Sequence, residues 1–111
     1  AAAGIMGKNQ GIIDQFTSQS HQTNEKFWQL PLYDEYYKYL ESDTADLKNC
    51  SENRLAGTST AAKFLEQFVT VKNWTHLDIA SVMKSTTSKG STSKGMTGFG
   101  TLSLIYYIIN K

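Results

Sequence analysis

At 111 residues the chain is one domain's length at most, and small for a mixed sheet with helices on both faces. Hydrophobic content of 40% beside 19% charged residues excludes a disordered chain, and a formal net charge of +1 gives no argument for nucleic acid or an anionic membrane. No apolar run approaches the roughly 20 residues that span a bilayer, and a single cysteine, Cys50, cannot form an internal disulfide, which fits a reducing compartment.

Ala1 to Met6 is a short run of small and apolar residues beside glycines, the pattern of the end of a buried strand. A chain that starts inside a strand and without an initiator methionine is expected to be a piece of something longer. Asn9 is placed to cap a helix. Ile12, Ile13, Phe16, Ser20, Thr23 and Phe27 then fall on one face at helical spacing, only partly apolar, so this helix is expected outside the sheet. His21 sits in its polar part with no second ligand at helical spacing, and reads as a solvated histidine rather than a metal ligand.

Phe27 to Leu32 runs extended ahead of the only proline, Pro31. Tyr33 to Leu40 predicts a short helix with Tyr33, Tyr36, Tyr37 and Leu40 on one face, a core or subunit contact beside Trp28 rather than a stacking platform for bases or sugars. Asp34, Glu35 and Glu41 lie on a solvated face with no histidine or metal motif near, which argues against acid–base work. Alternation from Ser42 to Asn49 predicts a strand over Asp43 to Lys48. Cys50 to Arg54 reads as a turn or loop, and Cys50 as a bystander thiol. Gly57 opens a helix whose apolar face is Ala61, Ala62, Leu65, Phe68 and Val69.

Trp74 to Ala80 alternates with apolar groups on both faces, as a central strand does. His76 and Asp78 share one side of it, short of the ligand set a closed metal site needs. Bonding to backbone and neighbours is the favoured reading for both. Residues 84–95 are rich in Ser, Thr, Lys and Gly but lack the phosphate-loop arrangement, so they are expected to form a solvated loop at the rim of a pocket. No serine in a strained turn accompanies His76, so no Ser-His-Asp triad is readable. Leu102 to Ile109 is apolar on both flanks and is expected to be a core helix.

Three stretches carry a resemblance. The first is Trp74-Thr75-His76-Leu77-Asp78-Ile79-Ala80 followed by Lys94-Gly95-Met96-Thr97-Gly98. The second is Trp28-Gln29-Leu30-Pro31-Leu32-Tyr33-Asp34-Glu35-Tyr36, with Ser42 to Asn49 behind it, and the third is Ala56 to Leu65. In this order they resemble the C-terminal segment of the leucyl aminopeptidase family, specifically from Phe27 onward and more weakly before it.

The strands read near Ala1–Met6, Asp43–Lys48 and Trp74–Ala80, with helices around them, give an α/β fold, and the resemblance implies that it is a partial three-layer α/β/α sheet domain. Residues 1–111 would be the C-terminal segment of a larger catalytic domain. The family's members are cytosolic exopeptidases that remove N-terminal residues from peptides. They hold two divalent metal ions, zinc or manganese, with a Lys, three Asp and a Glu, and a metal-bound water attacks the first peptide bond. Part of that set lies in an Asn-Thr-Asp-Ala-Glu-Gly-Arg run, which is absent here and which the family places upstream. By this reading the segment carries no catalytic residue and binds no metal itself.

What it contributes is scaffold and pocket wall. On the family pattern Ala80 and Met83 line the pocket for the substrate's N-terminal side chain, and Ser81 stands where glycine is usual. The implied partners are a peptide substrate, the remainder of the catalytic domain, and further copies in a hexamer, in the cytoplasm, with no nucleic acid and no membrane. Two other classes stay open: a stand-alone binding domain using the aromatic cluster and basic loop, and a structural remnant of the peptidase fold acting by association.

Overall fold

Strand β1 (Ala3–Gly7) runs through the middle of a three-stranded sheet in the computed structural model, which describes residues 1–50, 56–90 and 92–111. Strand β2 (Phe27–Gln29) pairs with it in parallel, and strand β3 (Thr75–Asp78) pairs antiparallel on its other side, with Ile5 opposite both Gln29 and Leu77. Ile5 and Met6, neighbours on β1, are both fully buried, as period-two alternation requires when both faces of a strand are covered. Burying each contributes roughly 1.5–3 kcal/mol. At Gly7 a Cβ would lie 2.7 Å from the Trp74 carbonyl oxygen, so only glycine allows β3 this close.

One face of the sheet is covered by helix α1 (Gln10–Ser20), whose N-terminus is capped as its sequence predicts: Asn9 Oδ1 accepts from the Ile12 N–H at 3.2 Å. Ile13 and Phe16 turn inward to Ala3, Ile5, Phe27 and Val82, with Leu77, Phe99 and Tyr107 packed at the margin. Phe16 meets the edge of Phe27 with centroids 5.0 Å apart. The opposite face is covered by helix α2 (Gly57–Glu66), whose Thr58 methyl lies over Gly4, and by a 3-10 helix, Asp34–Leu40, packed against α2. Helix layers on both sides of a sheet make this a partial α/β/α domain, the expected fold class.

Several elements depart from the sequence reading. Asp43 to Lys48 is not a strand. Ser42 Oγ accepts from the backbone N–H groups of Thr44 and Ala45, and Lys48 N–H closes back on the Leu40 carbonyl at 2.7 Å. Local serine bonding of this kind competes with a ladder. The extended run at Phe27 supplies the third strand instead. Trp74 to Ala80 does contain a strand, but it lies at the edge, and β1 takes the centre. Asp34–Leu40 has the tighter 3-10 winding, which separates Tyr33 and Tyr36 from the buried Leu40. Residues 51–54 lie outside the described residues.

Helix α2 is rotated from its expected face. Ser59, Thr60, Ala62 and Lys63 are buried, while Leu65 and Phe68 are exposed. Helix α3 (Thr101–Ile109) lies beside α1, but only Ser103 is buried in it. Leu102, Leu104, Ile105, Ile108 and Ile109 are exposed, the last two at 69% and 74%, because α3 meets the other layers of this chain along a single stripe. Among the described residues no helix is long and apolar enough to cross a membrane.

Candidate functional site

The chain leaves β3 through a turn held by several hydrogen bonds. Asp78 Oδ1 accepts from the Ala80 N–H at 3.1 Å, and the Val82 N–H closes on the Ile79 carbonyl at 3.0 Å. Ser81 Oγ donates to the Ala2 carbonyl at 3.2 Å, so this hydroxyl anchors the turn. Val82 is buried in the core. Ala80 and Met83, three residues apart, are both exposed, Met83 at 44%. The turn thus presents a small apolar and a flexible apolar residue from a fixed backbone.

The polar stretch behind it is more regular than a solvated loop. Strands β4 (Lys84–Ser85) and β5 (Gly95–Met96) pair antiparallel, and Lys89 and Thr92 form a bridge nearer the tip. Serine hydroxyls complete the hairpin: Ser88 Oγ accepts from the Lys94 N–H, and Ser85 Oγ donates to the Thr87 carbonyl. Its base is tied to the turn by Thr97, whose N–H donates to the Met83 carbonyl at 3.0 Å and whose hydroxyl donates to the Val82 carbonyl at 2.7 Å.

The two candidate ligands on β3 behave as structural residues. Asp78 is engaged by backbone, as above. His76 is half-buried opposite Met6 on β1, and burial pushes its imidazole below the usual histidine value, opposed by the Asp78 charge. His21 and Cys50 are exposed. A cleft of about 730 Å³ lies elsewhere, beside α1 and β2, lined by Ile13, Thr17, His21, Phe27, Trp28 and neighbours, and includes neither Ala80 nor Met83. Among the described residues no three His, Cys, Asp or Glu side chains come together as a metal site would need.

Two charged groups were not singled out from the sequence. Glu25 reaches the start of α3, accepting from Gly100 N–H at 3.0 Å, Ser103 N–H at 2.9 Å and Ser103 Oγ at 2.5 Å. Lys63, its side chain 4% exposed, bonds Asp34 at 2.6 Å and Glu66 at 3.0 Å, and Glu66 in turn pairs with Lys8 at 2.5 Å. The sequence signal for Lys63 was slight, a Glu three residues on along the helix. For Glu25 there was none.

Comparison with known proteins adds the family. The profile described as "Cytosol aminopeptidase family, catalytic domain" matches residues 1–105. A probable cytosol aminopeptidase of Geobacter sp. (strain M21) is 42% identical over 110 residues, covering 99% of this chain and 22% of that protein. Its namesake in Gloeobacter violaceus is 39% identical over 107 residues, covering 96% of this chain and 21% of that protein. For Chlorobaculum parvum the figures are 42% over 104 residues, 93% and 20%. The chain therefore spans about a fifth of the length of the curated relatives it matches.

Proposed function

The chain belongs to the cytosol aminopeptidase family, and from that premise we propose that residues 1–111 form the C-terminal segment of the catalytic domain of a leucyl-type aminopeptidase that removes N-terminal residues from peptides. In this reading the segment supplies scaffold and pocket wall, with Ala80 and Met83 against the substrate's first side chain. The observation that carries the reading is the turn after β3, where two exposed apolar side chains stand on a backbone held by five hydrogen bonds. Preorganisation of that kind suits a surface that selects a side chain.

Two divalent metal ions, zinc or manganese, would supply the activated water and polarise the scissile carbonyl. The donor groups among the described residues do not fit such a pair, so its ligands belong, in this reading, to the rest of the domain. The exposed aliphatic residues of α3, the exposed Leu65 of α2 and the exposed Phe68 just after it support packing against that remainder. A peptide substrate, a cytoplasmic location and a homo-oligomer, hexameric as in the resemblance, complete the proposal.

The chain by itself is expected to show no turnover of leucine amide with added zinc or manganese after chelator treatment. Activity that survives repurification and scales with this chain would put the catalytic groups within it. In the full-length enzyme, Met83→Ala is expected to lower kcat/KM for leucyl substrates while sparing phenylalanyl ones, because the pocket widens. A lost contact of methylene scale shifts preference by roughly 10–200-fold at most. Equal loss on both substrates would reduce Met83 to packing.

A further inference from the structure

We propose that Thr97 is a positioning residue for specificity: it holds Met83 in place and through it sets which N-terminal side chain the enzyme prefers. The inference rests on the reading of Met83 as pocket wall.

The geometry is specific to these residues. Thr97 lies on neither the turn nor the helix, yet it bonds the backbone of two successive turn residues. Its N–H donates to the carbonyl of Met83 itself, at 3.0 Å, and its hydroxyl donates to that of Val82, at 2.7 Å. The same oxygen accepts from the Phe99 N–H at 3.2 Å. The Phe99 ring packs at a tilt against the buried Phe27, centroids 5.3 Å apart, and the next residue, Gly100, is held by Glu25. One hydroxyl therefore connects an exposed turn to the core of the sheet. A threonine that bonds a nearby carbonyl is ordinary at the end of a strand. Here both carbonyls belong to the residues that define the pocket side chain's starting point.

Methionine makes this matter. With three rotatable bonds, its position is fixed less by its own rotamers than by where its backbone stands. Beside Thr97, the base of the segment from Met83 to Thr97 is secured by the short pairing of Lys84 with Met96 and Ser85 with Gly95, while the Lys89–Thr92 bridge and the Ser88–Lys94 bond lie nearer the tip. Thr97→Val keeps the shape of the side chain but removes the hydroxyl, leaving the Val82 carbonyl and the Phe99 N–H without that partner. Thr97→Ser keeps the hydroxyl and removes a methyl.

The test measures kcat/KM for leucyl and phenylalanyl amides in the full-length enzyme and takes their ratio, which does not depend on how much protein has folded. Thr97→Val is expected to lower the leucyl-to-phenylalanyl ratio by roughly 3–10-fold, and Thr97→Ser to stay within about twofold of the parent. In a Met83→Ala background, Thr97→Val is expected to change the ratio no further, because the two residues act through one contact. If Thr97→Val leaves the ratio unchanged while Met83→Ala shifts it, the role of Thr97 is overturned and the pocket reading stands. If neither variant shifts it, both fall. A Thr97→Val shift that persists undiminished without the Met83 side chain also overturns the proposal.

Discussion

Replacing Glu25 by alanine is expected to cost about 2–4 kcal/mol of stability, because it uncaps helix α3 from outside the helix. The N-terminal N–H groups of any helix lack partners within it. At α3 the capping position is Gly100, with φ at 94° and no side chain to offer. Glu25, some 75 residues earlier, supplies the missing acceptor with both carboxylate oxygens, and its negative charge faces the positive end of the helix dipole. Ser103 Oγ donates to the same carboxylate and also meets Thr23 Oγ1 at 2.8 Å, so the buried Ser103 loses its charged partner in the variant. Hydrogen bonds to a charged group contribute about 1.5–3 kcal/mol each, but they share one carboxylate and do not add. Glu25→Gln, which keeps one accepting oxygen, is expected to fall between alanine and the parent. Urea unfolding followed by circular dichroism gives the loss, and hydrogen exchange at the amides of Gly100 and Ser103 locates it. A loss below about half a kcal/mol would mean that the other ties of the helix, the packing of Tyr107 against Phe16 and the Ser103–Thr23 bond among them, hold it without Glu25.

How far the sequence could be read depends on the range of the interaction involved. The cap at Asn9 and the inward face of α1 were legible because a cap and a helical period are local. The strand at Thr75–Asp78 was legible as a strand, but its place in the sheet was not. Two-sided apolar pattern reports what covers the faces and says nothing about which strands lie alongside. At Asp43 to Lys48 alternation misled, since a serine next to an aspartate bonded its own neighbours instead. In α2 a hydropathy face put Leu65 and Phe68 inward. The helix turned the other way, placing Lys63 in the interior, where its charge is met by Asp34 and Glu66. Hydropathy has no term for a lysine that arrives with its counter-ions. Ala80 and Met83 were singled out by resemblance rather than by any period. Thr97 and Glu25 could not be found that way, because their meaning lies in partners far along the chain.

Glu66→Ala is expected to cost more than Lys63→Met, although both remove the same ion pair. Deleting Glu66 leaves a buried ammonium with only the exposed Asp34, and it frees Lys8 as well. Breaking a buried pair from one side in this way should lose about 2–4 kcal/mol, with Asp34 compensating in part. Methionine at position 63 instead fills the same volume without a charge, and Glu66, its side chain 11% exposed, keeps Lys8 at 2.5 Å. That change should stay within about 1 kcal/mol of the parent. The pH dependence follows from the same groups. The hydrogen bond from Lys63, and then its charge, hold the Asp34 carboxyl below its ordinary 3.8. Its stabilisation is therefore present above that value and is lost as pH falls through the lower folded one. Burial works against the Lys63 ammonium, but hydrogen bonds to Asp34 and Glu66 outweigh it and raise its pKa above 10.5. That contribution is complete below 10.5 and disappears as pH rises through the folded value. Lys63→Met should remove both dependences together, the acid one weakly because Asp34 is solvated and screened. Urea midpoints for the parent and both variants, taken from pH 3 to 11, read the whole pattern. If Lys63→Met proves the costlier change, the pairing of Lys63 with Asp34 across the two helices, and not the avoidance of a stranded charge, is what holds α2 to the helix at Asp34–Leu40.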